Sequence, residues 1–405
     1  MITGLWWVLV VVLVLGGVGL RNGALFLFGL LLGLGSTASV LWGRYCLAAI
    51  GFRRTFATSN LNFGEETELT VEIVNAKPLP LAWLRVRDEW PVNIPLLTGQ
   101  LGHSYKADRD VLETWLAMRW YERVRRVYRL RGAQRGAYAF GPVELAAGDL
   151  FGFRWRDETR EDTNLLFVFP KIVPVWRWVL PSGRPLGEAL APRRLIDDPL
   201  RFAGARDYMP GDNPRHIHWK NSARLGHLQT RVFDPEATQA VVLVIDVRTS
   251  DNSTYWYVPA FLELLISAAA SISAYALDER RAVGLFTNAS AVRYEGPIEV
   301  PIGRALGQQT LLLEALARMR GFALLSGEAL LQRLARVLPW GATVVVLSAY
   351  PVAGLQSALL RVQAAGHGCV LLTVGAEAID PPDGLAVYHL GGEDAWANLA
   401  ALELG

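Results

Sequence analysis

Cysteine is almost absent: Cys46 and Cys369 are the only two in 405 residues. Thiols so few and so far apart exclude a disulfide framework and any cysteine-based zinc or iron–sulfur site. Lysine is scarce too, with only Lys77, Lys106, Lys171 and Lys220 among 40 basic residues. We read that arginine bias as genomic base composition. Net charge is +2, so the chain is no polyelectrolyte and generic nucleic-acid binding has no compositional support. Gly-x-x-x-x-Gly-Lys-Ser/Thr is missing, as are Gly-x-Gly-x-x-Gly after a strand and Gly-x-Ser-x-Gly. Phosphate-loop nucleotide binding, dinucleotide binding and an α/β-hydrolase nucleophile elbow therefore lack their motifs. His216 and His218 stand two apart with no cysteine nearby and Trp219 adjacent, which favours structural roles over metal ligation. No Lys or Arg precedes the first apolar run, which disfavours a signal peptide.

Apolar residues are abundant, at 52% against 19% charged, and mean hydropathy is +0.23. A chain of 405 residues suggests two to three domains at roughly 100–200 residues each. The apolar excess sits at the N-terminus. Ile2 to Leu20 and Ala24 to Trp42 are two charge-free runs of 19 residues each, close to the ~20 needed to span ~30 Å of hydrocarbon. Arg21-Asn22-Gly23 joins them as a tight polar turn, so residues 1–43 read as a membrane helical hairpin (2–20 and 24–42). Arg44, Arg53 and Arg54 outnumber Arg21, which by the positive-inside rule puts both termini in the cytoplasm.

Residues 44–180 read as a small β-sandwich-like domain. Glu68, Thr70 and Glu72 alternate with Leu69, Val71 and Ile73, the period of a half-buried strand. Gly and Pro punctuate several further short strands. Arg119, Arg123, Arg125, Arg126, Arg129, Arg131 and Arg135 have only Glu122 as a local counter-charge. Such a stretch suits membrane lipids with anionic headgroups, or a strand face whose arginines pair with acids elsewhere.

From about residue 238 the rhythm changes. Val241 to Ile245 is a continuous apolar run ending at Asp246, as buried parallel strands do. Helices are expected over 259–280, 310–320, 328–338, 355–365 and 394–402, with strands over 282–287, 342–348 and 369–374. That alternation implies a doubly wound α/β sheet over 238–405, with ligands at the strand carboxyl ends. Asp246, Thr287 and Ser348 stand there.

Between these domains, residues 181–237 carry a long and specific motif. It runs Arg206-Asp207-Tyr208-Met209-Pro210-Gly211-Asp212-Asn213-Pro214-Arg215-His216-Ile217-His218-Trp219, then Ser222-Ala223-Arg224. It closely resembles the signature of the domain-of-unknown-function 58 family. Gly64-Glu65, Arg135-Gly136-x-Tyr138, Gly148-Asp149-Leu150-Phe151-Gly152 and Phe169-Pro170-Lys171 resemble that family's upstream β region. The resemblance implies a bacterial membrane-tethered protein with a von Willebrand A-like C-terminal domain. It also implies a MoxR-type AAA+ ATPase as partner and an adaptor or scaffold role in assembling protein complexes, with no enzymatic activity.

A von Willebrand A domain can hold Mg²⁺ through Asp-x-Ser-x-Ser, a loop Thr and a later Asp, hard oxygen ligands throughout. This chain offers Asp246, Ser250, Thr310 and Ser348, but Arg248 replaces the first serine and Ala349 the second acid. The ion site reads as degenerate, with Arg248 supplying the charge and no metal or other cofactor expected. In the signature, Pro210-Gly211 makes a turn that Asp212 can cap, and Arg206, Arg215 and Arg224 are forked donors. The segment reads as a clasp that buries Trp219, so that Trp219→Ala would cost ~3–5 kcal/mol; a docking surface for the ATPase would use the same residues exposed. Two other functions remain open: a metal-dependent hydrolytic or transfer enzyme using Asp246 and Thr310, and an extracytoplasmic ligand-binding protein.

Overall fold

The computed structural model describes residues 2–149, 154–176, 178, 197–209, 214, 217–235, 240–250, 257–291 and 296–404. They divide into two compact units, residues 1–169 and 170–405. The division falls ahead of the boundary near 180 expected from the sequence.

In the first unit the two charge-free runs are helices α1 (Ile2–Gly19) and α2 (Gly23–Tyr45). Asn22 caps α2, its side chain accepting from the N–H groups of Ala24 and Leu25, which satisfies two donors that the helix start leaves open. The helices pack through small residues. A Cβ on Gly17 would stand 2.5 Å from the backbone nitrogen of Phe26, so only glycine permits that approach. The outer faces are apolar and exposed, with Leu9, Val12, Leu15, Leu27, Leu31 and Leu34 among them. By length and composition α2 is able to cross a membrane, with 23 residues at mean hydropathy 2.0, and the apolar α1 packs beside it.

The chain then builds β strands. The first are β1 (Ile50–Phe56), β2 (Asn60–Leu61), β3 (Glu66–Asn75) and β4 (Leu81–Pro91). Next come β5 (Gly102–His103), β6 (Arg109–Met118) and β7 (Arg123–Arg131). The last are β8 (Gly136–Phe140), β9 (Val143–Gly148), β10 (Trp155–Arg160) and β11 (Asn164–Val168). They pair as β1–β3–β7, β10–β9–β4–β6–β5 and β2–β11–β8. One core joins the sheets, with Leu69 and Ile73 from β3, Leu84 and Trp90 from β4, Leu145 from β9 and Leu166 from β11.

The arginine run is answered by β3. Its alternating acids Glu66, Glu68 and Glu72 lie opposite Arg131, Arg129 and Arg125 of β7. Arg129 pairs with Glu66 at 2.6 Å and Arg123 with Glu72 at 3.3 Å. The run is thus half of a cross-strand charge ladder. Arg54, counted among the charges flanking the hairpin, is buried and lies 3.4 Å from the buried Asp88.

In the second unit, β12 (Val175–Trp176) pairs with the chain's final strand, β23 (Leu402–Glu403), which ties residues 170–178 to the C-terminal half. The expected helix over 394–402 is not formed. A 3-10 turn, Glu393–Ala395, stands there instead, because the backbone of Leu402 is engaged with Pro174 across the β12 edge. In the segment 181–237, β13 (Asp197–Asp207) and β14 (Gln229–Pro235) form an antiparallel ribbon, with α3 (Trp219–Leu225) before β14. Residues 181–196, 210–213, 215–216 and 236–237 of the expected linker lie outside the described residues.

The central sheet follows the sequence closely. It contains β15 (Ala240–Asp246), β16 (Ala282–Thr287), β18 (Glu299–Gly303), β20 (Thr343–Ser348), β21 (Gly368–Thr373) and β22 (Ala386–His389). The order is β18–β16–β15–β20–β21–β22, parallel except for the β18 edge. Helices α4 (Pro259–Asp278), α5 (Gln308–Arg318), α6 (Gly327–Leu334) and α7 (Ala353–Ala364) alternate with them. A short ribbon of β17 (Ala289–Ala291) and β19 (Met319–Ala323) stands beside it. Although α4 is long and apolar enough for a membrane span, it is 67% buried and forms part of this core. The result is a mixed α/β body.

Candidate functional site

The strand order reverses direction at β15. From it the chain first builds β16 and β18 on one side, then returns to β20 on the other. The crevice at the carboxyl ends of β15 and β20 is therefore the sheet's topological switch point, where such folds place ligands. Asp246 and Ser348 face each other across it in register.

Asp246 is fully buried. Its Oδ1 accepts from Asn288 Nδ2 at 2.7 Å and from the N–H of Arg248 at 3.1 Å. The Arg248 guanidinium follows, with Nε 3.9 Å from Oδ1, and its carbon lies 5.9 Å from the centre of the Tyr350 ring. Oδ2 has no hydrogen-bond partner among the described residues. It points at the start of α6, where a Cβ on Gly327 would stand 2.7 Å away. Gly327 thus lets a carboxylate sit against a helix N-terminus, whose dipole favours negative charge. Burial raises the Asp246 carboxyl above its ordinary range, opposed by the Asn288 and Arg248 hydrogen bonds.

Asn288 is the organiser. Its Oδ1 accepts from the N–H of Val247 at 2.9 Å, and its Nδ2 also donates to the carbonyl of Leu325 at 3.0 Å. One amide thus fastens the loops after β15, β16 and β19. The nearby hydroxyls serve their own turns. Ser348 Oγ accepts from Tyr350 N–H at 3.2 Å and Thr287 Oγ1 from Ala289 N–H at 3.0 Å. Both residues are fully buried.

Of the ion-site residues expected from the sequence, the structure brings Asp246, Arg248 and Ser348 together, with the half-buried Ser250 two residues beyond Arg248. Thr310 is elsewhere. It is exposed in the first turn of α5, whose start is pinned by Gln308 Nε2 to the carbonyls of Val283 at 2.8 Å and Pro301 at 2.9 Å. Val283 is level with Val241, at the opposite end of β15 from Asp246, about 16 Å away at ~3.3 Å per residue. The threonine looks right in sequence because it opens a helix after a glycine, but the β18 edge takes that helix to the wrong end. Asn288, Gly327 and Tyr350 were not singled out from the sequence. A polar residue directly after the β16 run was the one local signal for Asn288.

A divalent hard cation requires about six oxygens. Here one carboxylate oxygen is open, a guanidinium stands beside the other, Ala349 follows Ser348, and Thr310 is remote. Among the described residues no cluster of three or more His, Cys, Asp or Glu side chains has metal-binding geometry. Among the described residues, these donors fall short of the oxygen set that Mg²⁺ takes.

The signature segment is organised by Ser222 rather than by Trp219. Ser222 is buried; its Oγ donates to the carbonyl of His218 at 3.0 Å and accepts from Gln229 N–H at 2.9 Å. His218 caps α3, its Nδ1 accepting from Asn221 N–H at 3.1 Å. The side chain of Gln229 donates to Asp207, and the backbone of Tyr208 bonds to Leu228. Trp219 is 66% exposed, which corrects the expectation of a buried ring: α3 has only two turns and turns its Ser222 face inward. Arg206 and Arg224 are exposed as well. Pro210, Gly211, Asp212 and Arg215 lie outside the described residues.

Residues 204–387 match the model of the family described as "Protein of unknown function DUF58". Over 242 residues the chain is 27% identical to the "Uncharacterized protein YeaD" of Bacillus subtilis, covering 60% of this chain and 56% of that protein. The chain thus spans little more than half the length of that relative. Two solved structures are similar over 30% of this chain. They are a CARDB domain from Pyrococcus furiosus (11% identical, 90% of that chain, TM-score 0.19) and a non-cellulosomal cohesin from Archaeoglobus fulgidus (9% identical, 91% of that chain, TM-score 0.20). At such scores neither bears on fold or function.

Proposed function

We propose that this chain is a membrane-anchored adaptor whose C-terminal domain is von Willebrand A-like and carries a degenerate ion site. The observation that carries the reading is the switch-point crevice. Its acid is fully buried, held by Asn288 and faced by the chain's own Arg248, so a cation is built in where a ligand would add one. A parallel sheet with one antiparallel edge at β18 agrees with the von Willebrand A-like reading. The charge-free helical pair supplies the anchor, and the charges after α2 favour a cytoplasmic body. A catalytic reading finds little support, because Ser348 and Thr287 are buried and engaged in turns, and no nucleophile–base pair stands in the crevice among the described residues.

The partner in this reading is a MoxR-type AAA+ ATPase, proposed from the family resemblance. The surface offered to it includes Trp219, Leu225 and Leu228, exposed by 66%, 54% and 45%, beside Lys220 and Arg224. Large exposed aromatics are the usual anchors of protein interfaces. The test is capture of the ATPase by the detergent-solubilised full chain. Trp219→Ala is expected to change unfolding by no more than about 0.5 kcal/mol, as for a surface position, while capture is lost. Unchanged capture would remove this surface from the proposal. A C-terminal reporter active only outside the membrane would favour the extracytoplasmic ligand-binding alternative instead.

The same preparation tests the ion site. Titrating Mg²⁺ is expected to give no saturable heat at micromolar metal, and capture is expected to survive chelation, because Arg248 and a metal would repel at one carboxylate. Saturable binding, or capture lost on chelation, would show a working metal site and revive the metal-dependent enzyme alternative.

A further inference from the structure

One end of the first unit is built around the point where the hairpin joins the β strands. Helix α2 does not stop at the β strands but continues into them. Trp42 packs on their core, the buried Ser39 bonds to Asp149, and a Cβ on Gly43 would stand 3.0 Å from Arg154. After α2 the chain enters β1 at Ile50, which is paired with Asn75. The backbone of Ala76 donates to Ala49 at 3.0 Å, Asn75 N–H to Glu122 at 2.9 Å, and Tyr121 N–H to Lys77 at 3.3 Å. The turn between β6 and β7, the loop after β3, and Asp149 and Arg154 at the facing ends of β9 and β10 therefore all lie around the exit of the hairpin.

What these turns expose is aromatic and cationic. Trp120 is 64% exposed, Tyr121 68% and Trp155 63%. Tyr121 is held outward at φ 54, a conformation costly for an aromatic residue and kept only where surroundings impose it. Buried Asn75 imposes it, donating from Nδ2 to the carbonyls of Arg119 at 2.8 Å and Leu79 at 3.0 Å. Arg44, Arg119 and Arg156 are exposed at the same end. The acids of these turns face inward, Glu122 onto the N–H of Arg119 and Asp149 onto Ser39. Gly33 lies against Val10 and Gly29 against Val14, and that antiparallel pairing puts Trp6 and Trp7 level with Thr37 and Ser36, just before the buried Ser39 at which α2 meets the β strands. Tryptophan and tyrosine concentrate where a bilayer meets water, and arginine where its lipids are anionic.

We propose that this end of the first unit is a membrane-seating surface, with Trp120, Tyr121 and Trp155 at the headgroup boundary and Arg44, Arg119 and Arg156 on anionic phospholipid headgroups. The proposal rests on the reading that α1 and α2 span the membrane. It moves lipid contact from the arginine strand β7, whose charges face β3, to the rim around the hairpin exit. The β strands then stand on the bilayer rather than hang from it by a flexible stalk.

The full chain in vesicles of phosphatidylcholine, with and without phosphatidylglycerol, tests it. A fluorophore is attached at Ala76→Cys, beside the rim, or at Tyr105→Cys, exposed by 85% near the far end of β4 and ~30 Å away along the strand. The native Cys46 and Cys369 are buried. Quenching by headgroup-level spin-labelled lipid is expected to be severalfold greater at 76 than at 105. It should rise with phosphatidylglycerol and fall in the Trp120→Ala/Arg119→Ser/Arg156→Ser variant. Alkaline extraction reads the span separately. A chain that resists extraction while 76 is quenched no more than 105, or equally in both lipids, overturns the seating surface and leaves the span intact. A chain released by alkali overturns both.

Discussion

Arg54→Met is expected to destabilise the first unit by about 3–5 kcal/mol at pH 8, the cost of leaving a buried charge without its partner. Arg54 reaches from β1 across the core to Asp88 on β4, Nε to Oδ2 at 3.4 Å, with side-chain exposures of 0% and 2%. Its other end donates to the carbonyl of Asp162. Burial pushes the Asp88 carboxyl up to about 7 even with Arg54 opposing it, against about 4 in an unfolded chain. The folded state therefore binds this proton more tightly than the unfolded state does. Asp88 contributes stability that is complete in acid and is lost as pH rises from about 4 to about 7, by up to ~1.4 kcal/mol per unit. Arg54→Met should accordingly cost less at pH 5, where Asp88 is neutral, than at pH 8. The double variant Arg54→Met/Asp88→Leu should regain most of the loss, because it removes both charges. Native-state hydrogen exchange of the β3 and β4 amides at the two pH values reads all three. A single variant that costs the same at both would show that Asp88 does not titrate in this window.

Trp90→Ala is expected to cost a further large amount in the same unit, about 3–5 kcal/mol from the lost ring and the cavity it leaves. Trp90 is fully buried and meets the Phe140 ring edge-on at 4.8 Å; Phe140 in turn meets Phe56 at 5.0 Å. Three strands, β4, β8 and β1, are joined by that stack. The indole N–H also donates to the carbonyl of Ile94 at 2.6 Å, which truncation leaves unsatisfied. Trp90→Phe keeps most of the apolar volume but drops the donor, so it should fall well short of the alanine cost. Equal effects of the two substitutions on β4 protection would show that the hydrogen bond, rather than packing, dominates.

The contrast between Trp90 and Trp219 shows why residue type alone misleads. Both are tryptophans among turn-forming residues, yet one is enclosed by three strands and the other stands on a two-turn helix whose inward position is taken by Ser222. Burial is decided by what the rest of the chain brings behind a residue. Arg54 makes the same point with opposite sign: in sequence it is a charge flanking a membrane helix, and in the fold it is a core residue.

Local pattern was sufficient for much of this molecule. Two charge-free runs specify α1 and α2, because length and apolarity need no partner to be read. Alternation specifies β3, and the continuous apolar run ending at Asp246 specifies β15, because side-chain period and burial are linked within a single strand. The glutamates of β3 and the arginines of β7 are visible as separate stripes. That they cancel is a matter of register, settled only when the strands pair. Likewise the sequence places Asp246 at a strand end, but Asn288 and Gly327 converge on it from a loop and a helix start 42 and 81 residues further along the chain, and Thr310 is taken to the other end by the Gln308 contacts. The rim around the α2 exit gathers residues 44, 119–121 and 155–156. Closing such long loops is favourable only when the whole sheet forms, so no window of sequence contains the reason for it. Tertiary structure decided which charges meet, which ring is covered and which end of the sheet each loop serves.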